Sequence, residues 1–146
     1  MKAWTHDRQV RVLRELLILS VLVGASTSLV LLIAPSFVAR LLFGSEAGVE
    51  AEALGQVCAL ALASLCLASW PRPGSEHDLA RAARGMIAYN LLVGLYFAFV
   101  AIRGAPVGIV LLPACLFHIA IGAAQAVLQV RAGPALHGIR ERRVHS

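Results

Sequence analysis

The sequence predicts an all-α membrane protein: a four-helix transmembrane bundle with a short interfacial helix after the first span. Three observations carry that prediction. First, 59% of the 146 residues are hydrophobic and only 14% are charged, against about a quarter charged in ordinary soluble domains. A soluble fold of this size would expose large apolar patches. Second, four apolar blocks, each long enough to cross a bilayer, alternate with short polar connectors. Third, the basic residues are distributed to one side. Lys2, Arg8, Arg11 and Arg14 precede the first block, Arg72, Arg81 and Arg84 lie between the second and third, and Arg131, Arg140, Arg142 and Arg143 follow the fourth. The other two connectors hold only Arg40 and Arg103. The positive-inside rule then places both termini and the middle connector in the cytoplasm. An even number of spans agrees.

The first block covers about residues 16–34 and contains no charge. A basic segment before an apolar run also describes a secretory signal. This run is long for one, and no small-x-small cleavage site follows at the right distance, so a retained helix is expected. Pro35 ends the block. Residues 36–44, SFVARLLFG, suit a short helix lying at the interface. Gly44 can terminate it. Ser45 can then cap the next helix, with Glu46, Glu50 and Glu52 near its positive dipole end.

The second block covers about 53–70 and closes on Trp70, at the level where aromatic belts form. Pro71-Arg72-Pro73-Gly74 turns the chain. Ser75 and Asp78 resemble a capping box with Asp in place of Glu. They introduce an amphipathic lead-in whose Arg81 and Arg84 can snorkel. The third block covers about 85–102 and the fourth about 106–130. Pro113 within the fourth is expected to free the Ile109 carbonyl and kink the helix. Residues 131–146 read as a basic, mobile cytoplasmic tail. Residues 1–130 form the single domain.

The net charge of +5 arises from residues flanking apolar blocks, where they set topology and meet anionic headgroups. No nucleic-acid motif is present. Three cysteines, Cys58, Cys66 and Cys115, sit inside apolar blocks without a CxxC pair, so they read as small buried hydrophobes. His6, His77, His137 and His145 read as surface residues.

Polar residues inside a span are the places to look for chemistry. Cys115, His118, Gly122, Gln125 and Gln129 share one face of the fourth span by their spacing. Asn90, with Tyr89 beside it, lies on the third span. Because these spans run antiparallel, Asn90 falls near the level of Gln125 and a turn or two from His118. The candidate patch is therefore Asn90, His118, Gln125, Tyr89 and Cys115.

Interhelical hydrogen bonding explains such a patch without any chemistry. A pocket for a small lipophilic molecule is the functional alternative. Haem ligation by His118 would need a second intramembrane histidine. Cys115 and His118 alone supply too few ligands for a closed metal site. No cofactor or metal is expected, and no catalytic motif or membrane-embedded carboxylate pair is present.

Small residues recur at helix-packing spacing: Ser20-Gly24-Ser28, Gly55-Ala59-Ala63, Gly94-Ala98 and Ala114-His118-Gly122-Ala126. They serve packing within the bundle or contact with other membrane proteins or a second copy. The first stripe is the best candidate for an external contact.

The run RGMIAYNLLVGLYFAFVAIRG, followed by LLPACLFHIA, resembles a group of small uncharacterised four-helix integral membrane proteins of the bacterial inner membrane. The Pro35-x5-Leu41-Leu42-Phe43-Gly44 segment and the closing Trp70 share the likeness, which is looser over the basic tail. The group has no assigned activity. The resemblance therefore implies a fold and a compartment, and suggests that Asn90 and His118 share a role. The expected function is that of a non-enzymatic accessory or scaffold protein. The alternatives are a binding protein for a small lipophilic molecule and a redox or enzymatic subunit using His118.

Overall fold

The computed structural model describes residues 2–72, 76–104 and 107–144. Its helices are α1 (Lys2–Ile33), α2 (Pro35–Phe43), α3 (Val49–Ala68), α4 (Glu76–Ile102) and α5 (Leu111–Val144), and the described residues include no strand. The segments Asp7–Ile33, Val49–Ala68, His77–Ile102 and Leu111–Arg131 are each long and apolar enough to span a bilayer. The chain is thus a multi-pass membrane protein, an all-α four-helix bundle with one short helix after the first span.

Helix α1 is 32 residues long. At about 1.5 Å per residue it exceeds a hydrocarbon core of roughly 30 Å, so its arginine-bearing start extends past the apolar layer. The break at Ala34 sets the entry to α2. Pro35 opens that helix, where its missing N–H costs nothing and its fixed φ suits the first turn. Gly44 closes α2 at φ 68°, its N–H donating to the Arg40 carbonyl, as its position predicts.

Ser45 does not cap α3. The N-cap is Gly48, with no side-chain bond, and only Glu50 and Glu52 fall in the first turn. Glu46 instead pairs with Arg40, and the Ser36 hydroxyl donates to Glu52. The acidic positions therefore tether α2 to the start of α3 as well as meeting the helix dipole.

The fourth span starts later than its apolar run. Val107–Val110 are not helical. Gly108 N–H donates to the Leu42 carbonyl at 2.8 Å, and Val110 N–H to the Leu41 carbonyl at 3.0 Å. These donors satisfy carbonyls that the end of α2 leaves without intrahelical partners. A Cβ on Gly108 would collide with the Leu41 carbonyl, so the close approach requires glycine. Helix α5 begins at Leu111, which puts Pro113 in its first turn. There proline removes no intrahelical bond, so the expected kink at Ile109 has no basis. At its other end α5 continues to Val144. The backbone of the basic segment 131–144 continues this helix. The capping box at Ser75 and the side chains of His6, His137 and His145 lie outside the described residues.

Helix α1 touches every other span. Helices α4 and α5 pack closely, whereas α3 leans chiefly on α1 and meets α4 only slightly. A core of Leu13, Leu17 and Val21 on α1, Leu62 and Cys66 on α3, and Leu79, Ala83 and Met86 on α4 fills the arginine-rich half. Leu54, Val57, Leu60 and Leu67 of α3 face outward, as lipid permits. Cys58 is also exposed, so of the three cysteines only Cys66 and Cys115 are buried.

Candidate functional site

The polar residues of α4 and α5 meet, and α1 joins them. His118 Nδ1 lies 2.7 Å from Asn90 Oδ1. Asn90 Nδ2 donates to Ser20 Oγ at 3.3 Å, and Gln125 Nε2 donates to the same oxygen at 3.0 Å. The Gln125 amide also donates to the Leu16 carbonyl at 3.1 Å. One chain of hydrogen bonds therefore runs from α5 through α4 to α1 and back to α5. Asn90 is 1% exposed and Gln125 0%, so neither can exchange these bonds for water.

The network assigns the histidine tautomer. Asn90 gives its N–H to Ser20, so its oxygen faces the imidazole and must accept from it. The proton therefore sits on Nδ1, and in the neutral ring Nε2 carries the free lone pair. Aromatic rings enclose the imidazole edge to face. Tyr89, Phe97 and Phe117 have centroids 5.7, 6.1 and 5.6 Å from it. His118 itself is half-buried.

Cys115 lies a turn away but points elsewhere, its thiol donating to the Gly94 carbonyl at 3.3 Å. Gln129 Nε2 donates to the Ala80 carbonyl at 2.9 Å. Of the five residues in the predicted patch, Asn90, His118 and Gln125 thus belong to one network and Tyr89 packs on its histidine. Cys115 bonds separately. Among the described residues, no three His, Cys, Asp or Glu side chains converge on a point where a metal could sit.

Close backbone approach lets these short side chains meet. A Cβ on Gly94 would lie 2.6 Å from Ile119 Cγ1 and 3.1 Å from Ile119 N. One on Gly122 would lie 3.0 Å from Leu91 Cδ2 and 3.2 Å from Asn90 Cβ. The missing side chains of Gly94 and Gly122 are therefore the space into which α4 and α5 settle.

Ser20 joins the network from α1, a helix outside the predicted patch. Its stripe, of the two roles open to it, packs within the bundle rather than making an external contact: Ser20 is 3% exposed and Ser28 5%. Ser28 Oγ donates to the Ala59 carbonyl at 2.7 Å, and a Cβ on Gly24 would lie 2.8 Å from Cys66 Sγ. The stripe is the inner face of α1. Phe97 and Phe117 also escaped notice, because apolar aromatics in a span carry no signal of what they surround.

One atom in the network is unsatisfied: Gln125 Oε1 is enclosed without a hydrogen-bond partner among the described residues. The site can hold helices in register and can present an imidazole nitrogen within an aromatic cage. It contains no carboxylate to complete a catalytic set. No protein-family model, curated protein or solved structure matches this chain.

Proposed function

We propose that this chain is a non-enzymatic accessory or scaffold protein of the bacterial inner membrane, with both termini in the cytoplasm. In this reading it packs against partner membrane proteins or a second copy of itself. The observation that carries the reading is where the intramembrane polar groups go. Asn90, Gln125, Ser20, Gln129 and Cys115 all bond within the bundle, which favours a self-fastened frame over a reaction centre. Interhelical bonds of this kind contribute on the order of 1 kcal/mol each. The one-sided arginine distribution supports the orientation.

Purification from native membranes in mild detergent, with identification of what co-elutes, tests this. Reproducible recovery of a stoichiometric membrane-protein partner, or of a homo-oligomer, is expected. Recovery of a monomer alone would overturn the reading. For topology, a reporter fused after Ser146 should be active in the cytoplasm; activity only in the periplasm would reverse the orientation.

The aromatic cage around His118 favours a second reading, binding of a small lipophilic molecule beside the imidazole. A lipophile that co-purifies with the wild type and is lost in His118→Leu would select it. A redox subunit using His118 would give a coloured preparation, so a folded, colourless one removes that alternative.

A further inference from the structure

We infer that a crevice in the arginine-poor half of the bundle binds a membrane-soluble molecule headed by a phenol, whose hydroxyl donates to His118 Nε2. This rests on the second reading above, binding of a lipophile beside the imidazole, and names what that lipophile must carry. The starting observation is an acceptor that is both free and reachable. His118 gives its Nδ1 proton to Asn90 Oδ1, so the neutral ring keeps a lone pair on Nε2. That nitrogen has no hydrogen-bond partner among the described residues, and unlike Arg14 Nε and Gln125 Oε1 it is not sealed from contact. It lies inside the span Leu111–Arg131. There neither water nor an acyl chain offers a donor, so the donor must arrive on a solute.

The helix register shows where this acceptor opens. Ser20, Asn90 and Gln125 are enclosed, at 3%, 1% and 0% exposure. Two turns farther from the arginine-rich end, the same three helix faces carry Thr27, Phe97 and His118. Thr27 is exposed, and Phe97 and His118 are half-buried. The helices that meet at the network therefore part beyond it.

Helix α3 does not fill the gap. It meets α4 at the arginine-rich end, where Leu62 and Cys66 share a core with Leu79, Ala83 and Met86 and where Leu65 and Ser69 lie beside Gly85. Over residues 49–61 of α3 only Ala59 is buried, and its carbonyl takes the hydroxyl of Ser28 on α1. Helices α3 and α5 do not meet among the described residues. Helix α2 packs on α1, α3 and α5 and covers the end of this half. The side between α3 and α4, which faces lipid, is left as the way in.

The surroundings of Nε2 select the ligand. The spans carry no Asp, Glu, Lys or Arg at this level, so an ionised head would be unpaired there. Tyr89, Phe97 and Phe117 stand edge to face about the imidazole, and such rings favour a flat aromatic body in the same kinds of contact. A phenol joins that body to a hydroxyl more acidic than an alcohol's, which makes it the better donor to a neutral imidazole.

The test uses the full chain purified in mild detergent. Binding is measured for para-hexylphenol, its methyl ether and the matching cyclohexanol. The ether keeps the ring and loses the donor; the cyclohexanol keeps a hydroxyl and loses the ring. The phenol should bind about fivefold more tightly than the ether, as one hydrogen bond warrants, and more tightly than the cyclohexanol. It should also move the nitrogen NMR signal of Nε2, which the ether should leave in place. In His118→Phe the phenol should fall to the level of the ether, and Phe97→Leu should weaken both alike. Equal binding of phenol and ether with Nε2 unmoved would leave a pocket in place and overturn the inference about its ligand. Binding of neither would overturn the pocket as well. Undiminished binding by Phe97→Leu would put the site outside the crevice and overturn the inference too. If His118→Phe fails to fold, the Nε2 signal of the wild type decides by the same criterion.

Discussion

The two antiparallel seams of the bundle are closed by different means. Between α1 and α3 the contact is nearly apolar. Gly24 lies against Cys66 and Leu62, Gly55 against Leu31 and Pro35, one buried serine reaches across to a carbonyl, and at the exposed edge the Gln56 amide donates to the Leu32 carbonyl at 3.4 Å. The seam between α4 and α5 has the same glycine-based closeness but adds three polar links, from His118 to Asn90, from Cys115 to the Gly94 carbonyl and from Gln129 to the Ala80 carbonyl. Lipid offers no hydrophobic drive between helices, so each seam must rest on packing and on hydrogen bonds. An apolar seam can slide by a fraction of a turn at small cost. A seam of paired donors and acceptors cannot, because every slip leaves buried groups unsatisfied. Helices α4 and α5 therefore form the registered half of the molecule, and α1 is locked to them through Ser20.

Adding one methyl to each seam should separate them most. In Gly94→Ala the new Cβ meets the backbone nitrogen of Ile119 as well as its side chain. Backbone cannot step aside, so the helices must part, and the Cys115 bond to the Gly94 carbonyl goes with them. A loss of about 2–3 kcal/mol is expected. In Gly24→Ala the new Cβ meets the Cys66 sulfur, which can rotate, and the loss should be about 1 kcal/mol. Removing the obstacle in Gly24→Ala with Cys66→Ala should recover most of that loss. Equilibrium unfolding in mixed micelles measures all three. Equal losses for the two single substitutions would mean that the seams are mechanically alike.

Asn90→Leu comes next. It keeps the branched heavy-atom shape, with somewhat bulkier ends, and removes the amide that serves both His118 and Ser20. The buried donor and acceptor left behind should cost about 1–2 kcal/mol. The His118 ring would also lose the contact that orients it, which nitrogen NMR of the imidazole would detect as a mixture of tautomers. An unchanged tautomer in Asn90→Leu would show that the aromatic cage alone holds the ring.

Ser20→Ala and Ser28→Ala remove the same hydroxyl from the same helix, one facing each seam. Each should cost about 1 kcal/mol. Their coupling should differ. Ser20 accepts from Gln125, so Ser20→Ala combined with Gln125→Met should be non-additive by at least about 0.5 kcal/mol. Ser28→Ala combined with Gln125→Met should be additive. Additivity in both cycles would remove α1 from the network.

Much of this comparison was legible in the sequence. The apolar blocks, their alternation and the i, i+3, i+4 spacing of Cys115, His118, Gly122, Gln125 and Gln129 all follow from residue type and helical period. The antiparallel order of two neighbouring spans then places Asn90 near His118. What was not legible is rotation. A stripe such as Ser20-Gly24-Ser28 looks the same whether it faces a partner, lipid or the bundle. Only the orientation of α1 against α4 and α5 separates these cases, and that depends on packing over the whole interface. The start of α5 was hidden for a related reason. The run from Val107 to Val110 continues the apolar block, but its β-branched residues and Gly108 are poor helix formers, and the free carbonyls at the end of α2 take the N–H groups of Gly108 and Val110. Gly48, in an extended conformation, takes the capping position, while Glu46 before it pairs with Arg40 on α2.

The smallest expected effect is also the sharpest probe of how the registered half was built. Gln125 has its Nε2 well placed on two acceptors, while its Oε1 is buried without a partner. Gln125→Met removes the two favourable bonds and the unsatisfied oxygen together, and it fills nearly the same volume. A buried acceptor without a bond costs about 1–3 kcal/mol, and each net bond returns about 1 kcal/mol, so the terms nearly cancel. The change in stability should stay within about 0.5 kcal/mol, well below that of Asn90→Leu, although the two side chains are equally enclosed. Gln125→Ala would not serve as the probe, because it adds a cavity to the loss of the amide. A loss above about 1.5 kcal/mol in Gln125→Met would mean that Oε1 is satisfied in the membrane, by a bound water or by a ligand donor reaching it from the side of His118. The polar seam would then be a binding site as well as a fastening.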